Sequence, residues 1–309
     1  MAHQELRPLS RQCSPLRHNR NVRIVLIGAT GMFGSDLLPV LQERRHKVLI
    51  PPSKDLDITD PSSVAQIPAG DFGRLDWCIN CAAYTAVDKA ETERQQATEL
   101  NTIGPGYLAK ACASEGARLI HLSTDFVFDG EKQEPYTEED PTNPLGVYGR
   151  TKLDGERAVR EAHSNAIILR TSWLYGPNGN SFPKTMIKAW EAGRQLRVVA
   201  DQVGCPTYTK DLAITIADVI DKNLFPGIYH ATGHVAMTWH TFAKKVLETR
   251  KRLTQSDRPV EIEPIETEAW PTPAKRPVFS VLNNKALWTA GIPTMRETDE
   301  AIEEFCRRI

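Results

Sequence analysis

The first half of the chain alternates short β-branched, apolar runs with longer stretches of helical period. Val22-Arg23-Ile24-Val25-Leu26-Ile27 predicts a strand, followed by a glycine-rich turn and an amphipathic helix over 35–45. Lys47-Val48-Leu49-Ile50 predicts a second strand, a third ends at Asp57-Ile58, and 75–81 makes a fourth. The run 98–115 reads as a helix, and Arg118-Leu119-Ile120-His121-Leu122 and Ala166-Ile167-Ile168-Leu169-Arg170 read as strands. Strands alternating with helices at this spacing imply parallel βαβ units and a doubly wound α/β sheet. After about residue 175 the pattern changes to helices over 183–192, 210–222 and 238–252, separated by Pro- and Gly-containing loops. This predicts a smaller C-terminal α/β substrate-binding part lying over the strand ends, where ligands bind in such sheets. The expected division is an extension over 1–21, a dinucleotide-binding part over 22–175 and a substrate-binding part over 176–309 interleaved with it. No internal repeat is evident.

Composition narrows the class. With 309 residues, 40% hydrophobic and 25% charged, the chain is an ordinary globular protein of one large domain or two joined ones. A net charge of −1 provides no global field toward nucleic acid or membrane, and no apolar run is long enough for a membrane span. The six cysteines (Cys13, Cys78, Cys81, Cys112, Cys205, Cys306) are scattered, which fits a reduced, cytoplasmic setting. Cys78 and Cys81 lie three apart on a predicted strand and so face opposite ways, which argues against a metal or redox pair. Residues 1–21 carry four arginines, Arg7, Arg11, Arg17 and Arg20, against one acid, Glu5. They read as a disordered extension, with a transit peptide as the alternative.

The first candidate chemistry follows the first strand. Gly28-Ala29-Thr30-Gly31-Met32-Phe33-Gly34 sits between strand and helix, with Gly28, Gly31 and Gly34 at G-x-x-G-x-x-G spacing. Glycines there permit a tight turn and close approach of a pyrophosphate, which the helix N-terminus attracts. This marks a Rossmann-type fold and a nicotinamide dinucleotide, NADPH or NADH. The second strand leads into Pro51-Pro52-Ser53-Lys54 with no carboxylate for an adenine ribose, so Ser53 and Lys54 are placed to receive a 2′-phosphate. Lys54 fits an ordinary solvated lysine equally well. The small residues of Ala82-Ala83-Tyr84-Thr85 let a dinucleotide lie close to the next strand end.

The second candidate is Tyr148-Gly149-Arg150-Thr151-Lys152, whose Tyr148 and Lys152 share one helix face. A tyrosine with a pKa near 10 is a poor acid–base catalyst, and an adjacent ammonium is expected to lower it. Thr124, at the end of a predicted strand, can hydrogen-bond a substrate carbonyl. Together these residues predict hydride transfer to a carbonyl carbon with Tyr148 protonating the oxygen.

The ordered motifs extend further. Asn80-Cys81-Ala82-Ala83-Tyr84-Thr85-Ala86-Val87-Asp88-Lys89-Ala90-Glu91 and Ser123-Thr124-Asp125-Phe126-Val127-Phe128 come first. Arg170-Thr171-Ser172-Trp173-Leu174-Tyr175-Gly176, Asp201-Gln202-Val203-Gly204-Cys205-Pro206-Thr207 and Pro271-Thr272-Pro273-Ala274-Lys275-Arg276-Pro277 follow. In these the chain resembles the extended short-chain dehydrogenase/reductases, and within them the dTDP-4-dehydrorhamnose reductase family, from Val22 to the C-terminus. The resemblance implies reduction of the C4 ketone of a nucleotide-linked keto-sugar in dTDP-rhamnose biosynthesis by NADPH or NADH. It implies Tyr148 as proton donor with Lys152 and Thr124 as partners. Gly31, Met32, Phe33, Asp57, Ile58, Ala83, Tyr84 and Thr85 would contact cofactor. Thr124, Asp125 and Trp173 would line the sugar pocket. Lys275 and Arg276 suit a diphosphate, with a surface salt bridge as the alternative reading. His230 and His240 read as structural. Related dehydratases carry Asp-Glu after the threonine; Asp125 is followed by Phe126, which argues against dehydration. Some relatives bind magnesium between subunits, but no metal ligand set stands out here. The resemblance admits a homodimer, a non-catalytic subunit like the beta subunit of methionine adenosyltransferase, or a nucleotide-sugar epimerase.

Overall fold

Runs of Val, Ile and Leu with both faces apolar can be satisfied only inside a parallel sheet covered on two sides, and the computed structural model, which describes residues 21–51, 56–67 and 73–309, has that arrangement. Strands β1 (Arg23–Ile27), β2 (Lys47–Leu49), β3 (Trp77–Asn80), β4 (Arg118–Thr124) and β5 (Ile167–Thr171) join a sixth strand, Gly227–His230, in one sheet. The spatial order is β2-β1-β3-β4-β5 followed by Gly227–His230, and every pairing is parallel. The order reverses between β1 and β3, so their carboxyl ends open the crevice where such sheets bind nucleotides.

Alternation along the strands sorts two cores. Ile24, Leu26, Ile79, Ile120 and Leu169 pack with helix α1 (Gly34–Glu43) and helix Thr209–Asp221 on one face. Val25, Ile27, Cys78, Leu119 and Ile168 pack with helix Gly104–Glu115 on the other. Cys78 and Cys81 fall on opposite faces as their spacing requires, and both thiols are free. A third core around Tyr175, Trp190, Phe242 and Phe305 belongs to the C-terminal part. That part returns to the main sheet through helix Thr209–Asp221, strand Gly227–His230 and the side chains of Leu287 and Ile292.

Three expectations change. At Asp57-Ile58, where a strand was expected to end, the chain makes a turn, and among the described residues 77–80 is the third strand rather than the fourth. Asp57 Oδ1 accepts from the Thr59 N–H (2.8 Å) and hydroxyl (2.7 Å), and Asp60 caps helix Pro61–Val64. Such local bonds outcompete a ladder. The helix expected over 98–115 begins at Arg94 and carries a π turn over Glu99–Ile103. Strand Gly227–His230, too short to show a period of its own, was not anticipated. Residues 1–20, with Ser53 and Lys54, lie outside the described residues. Among the described residues no helix is long and apolar enough to cross a membrane.

Candidate active site

The glycine loop is shaped by contacts that forbid side chains. Gly28 has φ +77°, and a Cβ there would come within 2.9 Å of the Ala82 nitrogen beyond β3. A Cβ at Gly34 would stand 2.2 Å from the Gly28 carbonyl oxygen, whereas at Gly31 the nearest atom is 3.3 Å away and the residue is exposed. Gly28 and Gly34 therefore close the turn, and Gly31 leaves its outer side open. Phe33, the residue before α1, is buried and contributes no side-chain cap, while the Ser35 and Asp36 N–H groups donate to the Gly31 and Phe33 carbonyls at 3.0 and 3.1 Å. This cradle fits a dinucleotide pyrophosphate. Asp36 in the same turn is buried, and the Arg308 guanidinium (3.2 Å) and Thr209 hydroxyl (2.5 Å) hold its carboxylate.

The wall beyond β3 is held from behind. Asn101, fully buried in the π turn, accepts from the Tyr84 N–H at 2.8 Å and donates to the Tyr84 carbonyl at 3.1 Å. Its amide also reaches the Thr151 hydroxyl at 3.1 Å, tying the Ala83-Tyr84-Thr85 loop to the helix that carries Tyr148. A π turn presents one extra residue inward, a common device at functional sites. Ile58 buries its side chain against Gly104, while Asp57 is exposed at the crevice rim with its carboxyl held below the usual range by its bonds to Thr59.

Helix Val147–Ala162 brings Tyr148 and Lys152 to the end of β4, one turn apart. Tyr148 lies within hydrogen-bonding reach of the Thr124 hydroxyl, which also accepts from the Phe126 N–H at 3.2 Å. Lys152 is buried and donates to the Leu122 carbonyl at 2.6 Å. The expected lowering of the tyrosine pKa is not what this geometry produces. Burial and the neighbouring Asp125 push Tyr148 up to about 12, while burial pulls Lys152 down to about 8. The ammonium turns to the Leu122 carbonyl and does not act on the phenol. A phenol that stays protonated near neutrality is the form a proton donor needs.

The substrate wall follows from the same strand ends. Asp125 is buried, accepts from Thr124 at 3.0 Å, and burial raises its carboxyl to about 6. Its Oδ2 is enclosed, with the Ser280 hydroxyl beside the carboxyl group. Trp173 sits at φ +46°, a conformation non-glycine residues rarely adopt, with its indole stacked on Trp239 at 3.5 Å. Gly204 makes room for that ring, since a Cβ there would meet it at 2.5 Å. Beside Tyr148 a cleft is lined by Phe126, Leu145, Gly146, Lys275 and Pro277. Arg276 does not point free into it: its guanidinium forms a bidentate pair with Asp88 at 3.0 and 2.9 Å and also meets Thr272 and Ala274. Lys275 is exposed at the mouth. His230 is buried against the Tyr136 carbonyl and His240 against that of Ile262, as structural histidines. No cluster able to hold a metal ion occurs among the described residues.

Sequence reasoning missed Asn101, Trp239 and two acids. Glu91 accepts from the Val147 N–H at 2.8 Å and so anchors the start of the Tyr148 helix. Glu156 lies on the Tyr148–Lys152 face one turn further along, at a buried position in the period Gly149, Lys152, Glu156, Val159. A charged residue on a buried stripe is the signal that would have revealed it.

Comparison with known proteins agrees with this geometry. The RmlD substrate binding domain family matches residues 22–309. The dTDP-4-dehydrorhamnose reductase of Mycolicibacterium smegmatis is 40% identical over 91% of this chain and 84% of its own length. A probable dTDP-4,6-dihydroxy-2-methyloxan-3-one 4-ketoreductase of Streptomyces antibioticus is 41% identical over 92% of this chain and 94% of its own. The crystal structure of dTDP-4-dehydrorhamnose reductase from Bacillus anthracis in complex with NADP superposes with a TM-score of 0.86 at 36% identity. It covers 94% of this chain and 100% of that one.

Proposed function

The chain belongs to the RmlD substrate binding domain family, and from that membership and the site's geometry we propose that it reduces the C4 ketone of dTDP-4-dehydrorhamnose to give dTDP-rhamnose. It is an oxidoreductase, and its cofactor is NADPH or NADH. The observation that carries this reading is the meeting of Thr124, Tyr148 and Lys152 at the end of β4, across the crevice from the glycine loop.

The residues divide the work. Gly28, Gly31 and Gly34 with the α1 N-terminus cradle the pyrophosphate, and Ala83, Tyr84 and Thr85 form the adjoining wall. Bound at this site, the reduced nicotinamide supplies the hydride. Thr124 and Tyr148 hydrogen-bond the ketone oxygen, and Tyr148 gives it the proton as charge develops there. Lys152, charged below about pH 8, is placed to hold ribose hydroxyls. Asp125 and Trp173 bound the sugar. The five free cysteines among the described residues suit a cytosolic biosynthetic step.

The direct test is NADPH oxidation by the purified protein with freshly made dTDP-4-dehydrorhamnose, repeated with NADH and with the uridine analogue. Stoichiometric loss of nicotinamide absorbance with formation of dTDP-rhamnose is expected. Cofactor binding without oxidation would reject the reductase reading.

The Asp88–Arg276 pair fastens the loop 272–277 to helix Val87–Ala90 beside the cleft. Asp88→Asn should raise KM for the nucleotide sugar about three- to fivefold, as befits a half-exposed pair worth under ~1 kcal/mol, with little change in kcat or NADPH affinity. Steady-state kinetics check this, and a fall in kcat at constant KM would contradict it.

A further inference from the structure

The face of helix Val147–Ala162 that carries Tyr148 and Lys152 continues one turn on to Glu156. Glu156 is as buried as Lys152, yet it touches neither the crevice nor the cleft. Its carboxylate receives the Arg170 guanidinium from β5 in bidentate fashion, at 2.9 and 2.7 Å, and the Ser123 hydroxyl from β4 at 2.5 Å. Ser123 stands between Leu122, whose carbonyl receives Lys152, and Thr124, which meets Tyr148. Three consecutive residues of β4 therefore dock three consecutive turns of the helix.

We propose that Glu156 is a positioning residue for the catalytic pair, fixing the register of their helix against β4 and β5 and supplying the carboxylate that keeps Lys152 charged. This rests on the reductase reading of the same site. The groups that face Lys152 are Glu156 on its own helix, the Cys81 thiol beyond β3 and the His121 ring on β4. Burial of His121 and the nearby ammonium keep that imidazole neutral, and burial pushes the Cys81 thiol up, so the carboxyl group facing Lys152 is that of Glu156. Arg170 is engaged by Glu156 and lies over the Phe128 ring at 5.2 Å.

The sign is fixed by the lysine. An ammonium donating to ribose hydroxyls contributes cofactor affinity below its pKa, and that contribution is lost as pH rises through about 8. Without the Glu156 charge the loss begins at lower pH. The experiment measures NADPH affinity against pH by fluorescence, which needs no sugar and so separates failure of this proposal from failure of ketone reduction. Glu156→Gln alone leaves Arg170 buried without its partner, so the paired variant Glu156→Gln/Arg170→Met, which removes both charges, is measured beside it. In the folded paired variant the alkaline limb should move down by about one pH unit or more. Glu156→Asp, which restores a carboxylate, should return it toward the wild-type position. A limb that coincides with wild type in the folded paired variant would overturn the proposal and leave Glu156 as ordinary buried structure.

Discussion

Tyr148→Phe is expected to lower kcat by about 10²–10⁴-fold, the range that removal of a placed general acid produces. The ring keeps its edge-to-face contact with Phe126, centroids 5.8 Å apart, so the helix end and the cleft wall survive the change. What disappears is the phenolic proton beside Thr124. Hydride addition would then leave an alkoxide with only the Thr124 hydroxyl to stabilise it, a penalty of about 3–5 kcal/mol in the barrier. NADPH affinity should stay within about twofold of wild type, because the change leaves the glycine loop untouched. Stopped-flow or steady-state turnover beside a fluorescence titration tests both halves. Wild-type turnover in this variant would remove Tyr148 from the chemistry, and equal losses of turnover and cofactor affinity would make it a binding residue instead.

Gly34→Ala should act at the opposite side of the crevice and through the backbone. The new methyl would meet the Gly28 carbonyl oxygen at 2.2 Å and the Ala29 Cα at 2.7 Å, and neither atom can yield without opening the turn. NADPH affinity is expected to fall by about a hundredfold, equivalent to ~2.7 kcal/mol, together with a loss of ~1–3 kcal/mol of stability from overpacking. Gly31→Ala is the informative partner. Its methyl has 3.3 Å to the nearest atom and points outward, so the fold should stay intact while the pyrophosphate loses its close approach. Calorimetric melting with cofactor titration separates the two. Unchanged melting and unchanged affinity in Gly34→Ala would show that the loop does not carry the pyrophosphate.

Much of the architecture was legible because parallel sheets write a simple pattern. β1, β3, β4 and β5 are apolar on both faces, and each predicted run matches its strand to within a few residues. The glycine spacing was equally clear, since a turn with φ +77° and Cβ clearances under 3 Å tolerates little else. The turn at Asp57 was misread because three polar side chains settle their hydrogen bonds locally, below the resolution of hydrophobic periodicity. The π turn left no trace for a similar reason. One inserted residue shifts the helix phase by less than a short window can detect, yet it turns Asn101 inward onto the cofactor wall.

The sequence by itself determined the fold class and pointed to the glycine loop and the trio Thr124, Tyr148 and Lys152 as candidates, since each depends on residue types at fixed local spacing. Tertiary structure alone decided what those groups are in chemical terms. Tyr148 stays a protonated phenol because its burial and Asp125 outweigh the hydrogen bond from Thr124, the lysine being turned toward Leu122. Arg276 is spent on Asp88, and Trp173 is clamped between Trp239 and Gly204. The partners of these side chains come from 23 to 188 residues away in the chain. The free energy of a charge or a hydroxyl depends on the atoms within a few ångströms of it, and only the folded chain brings those atoms together.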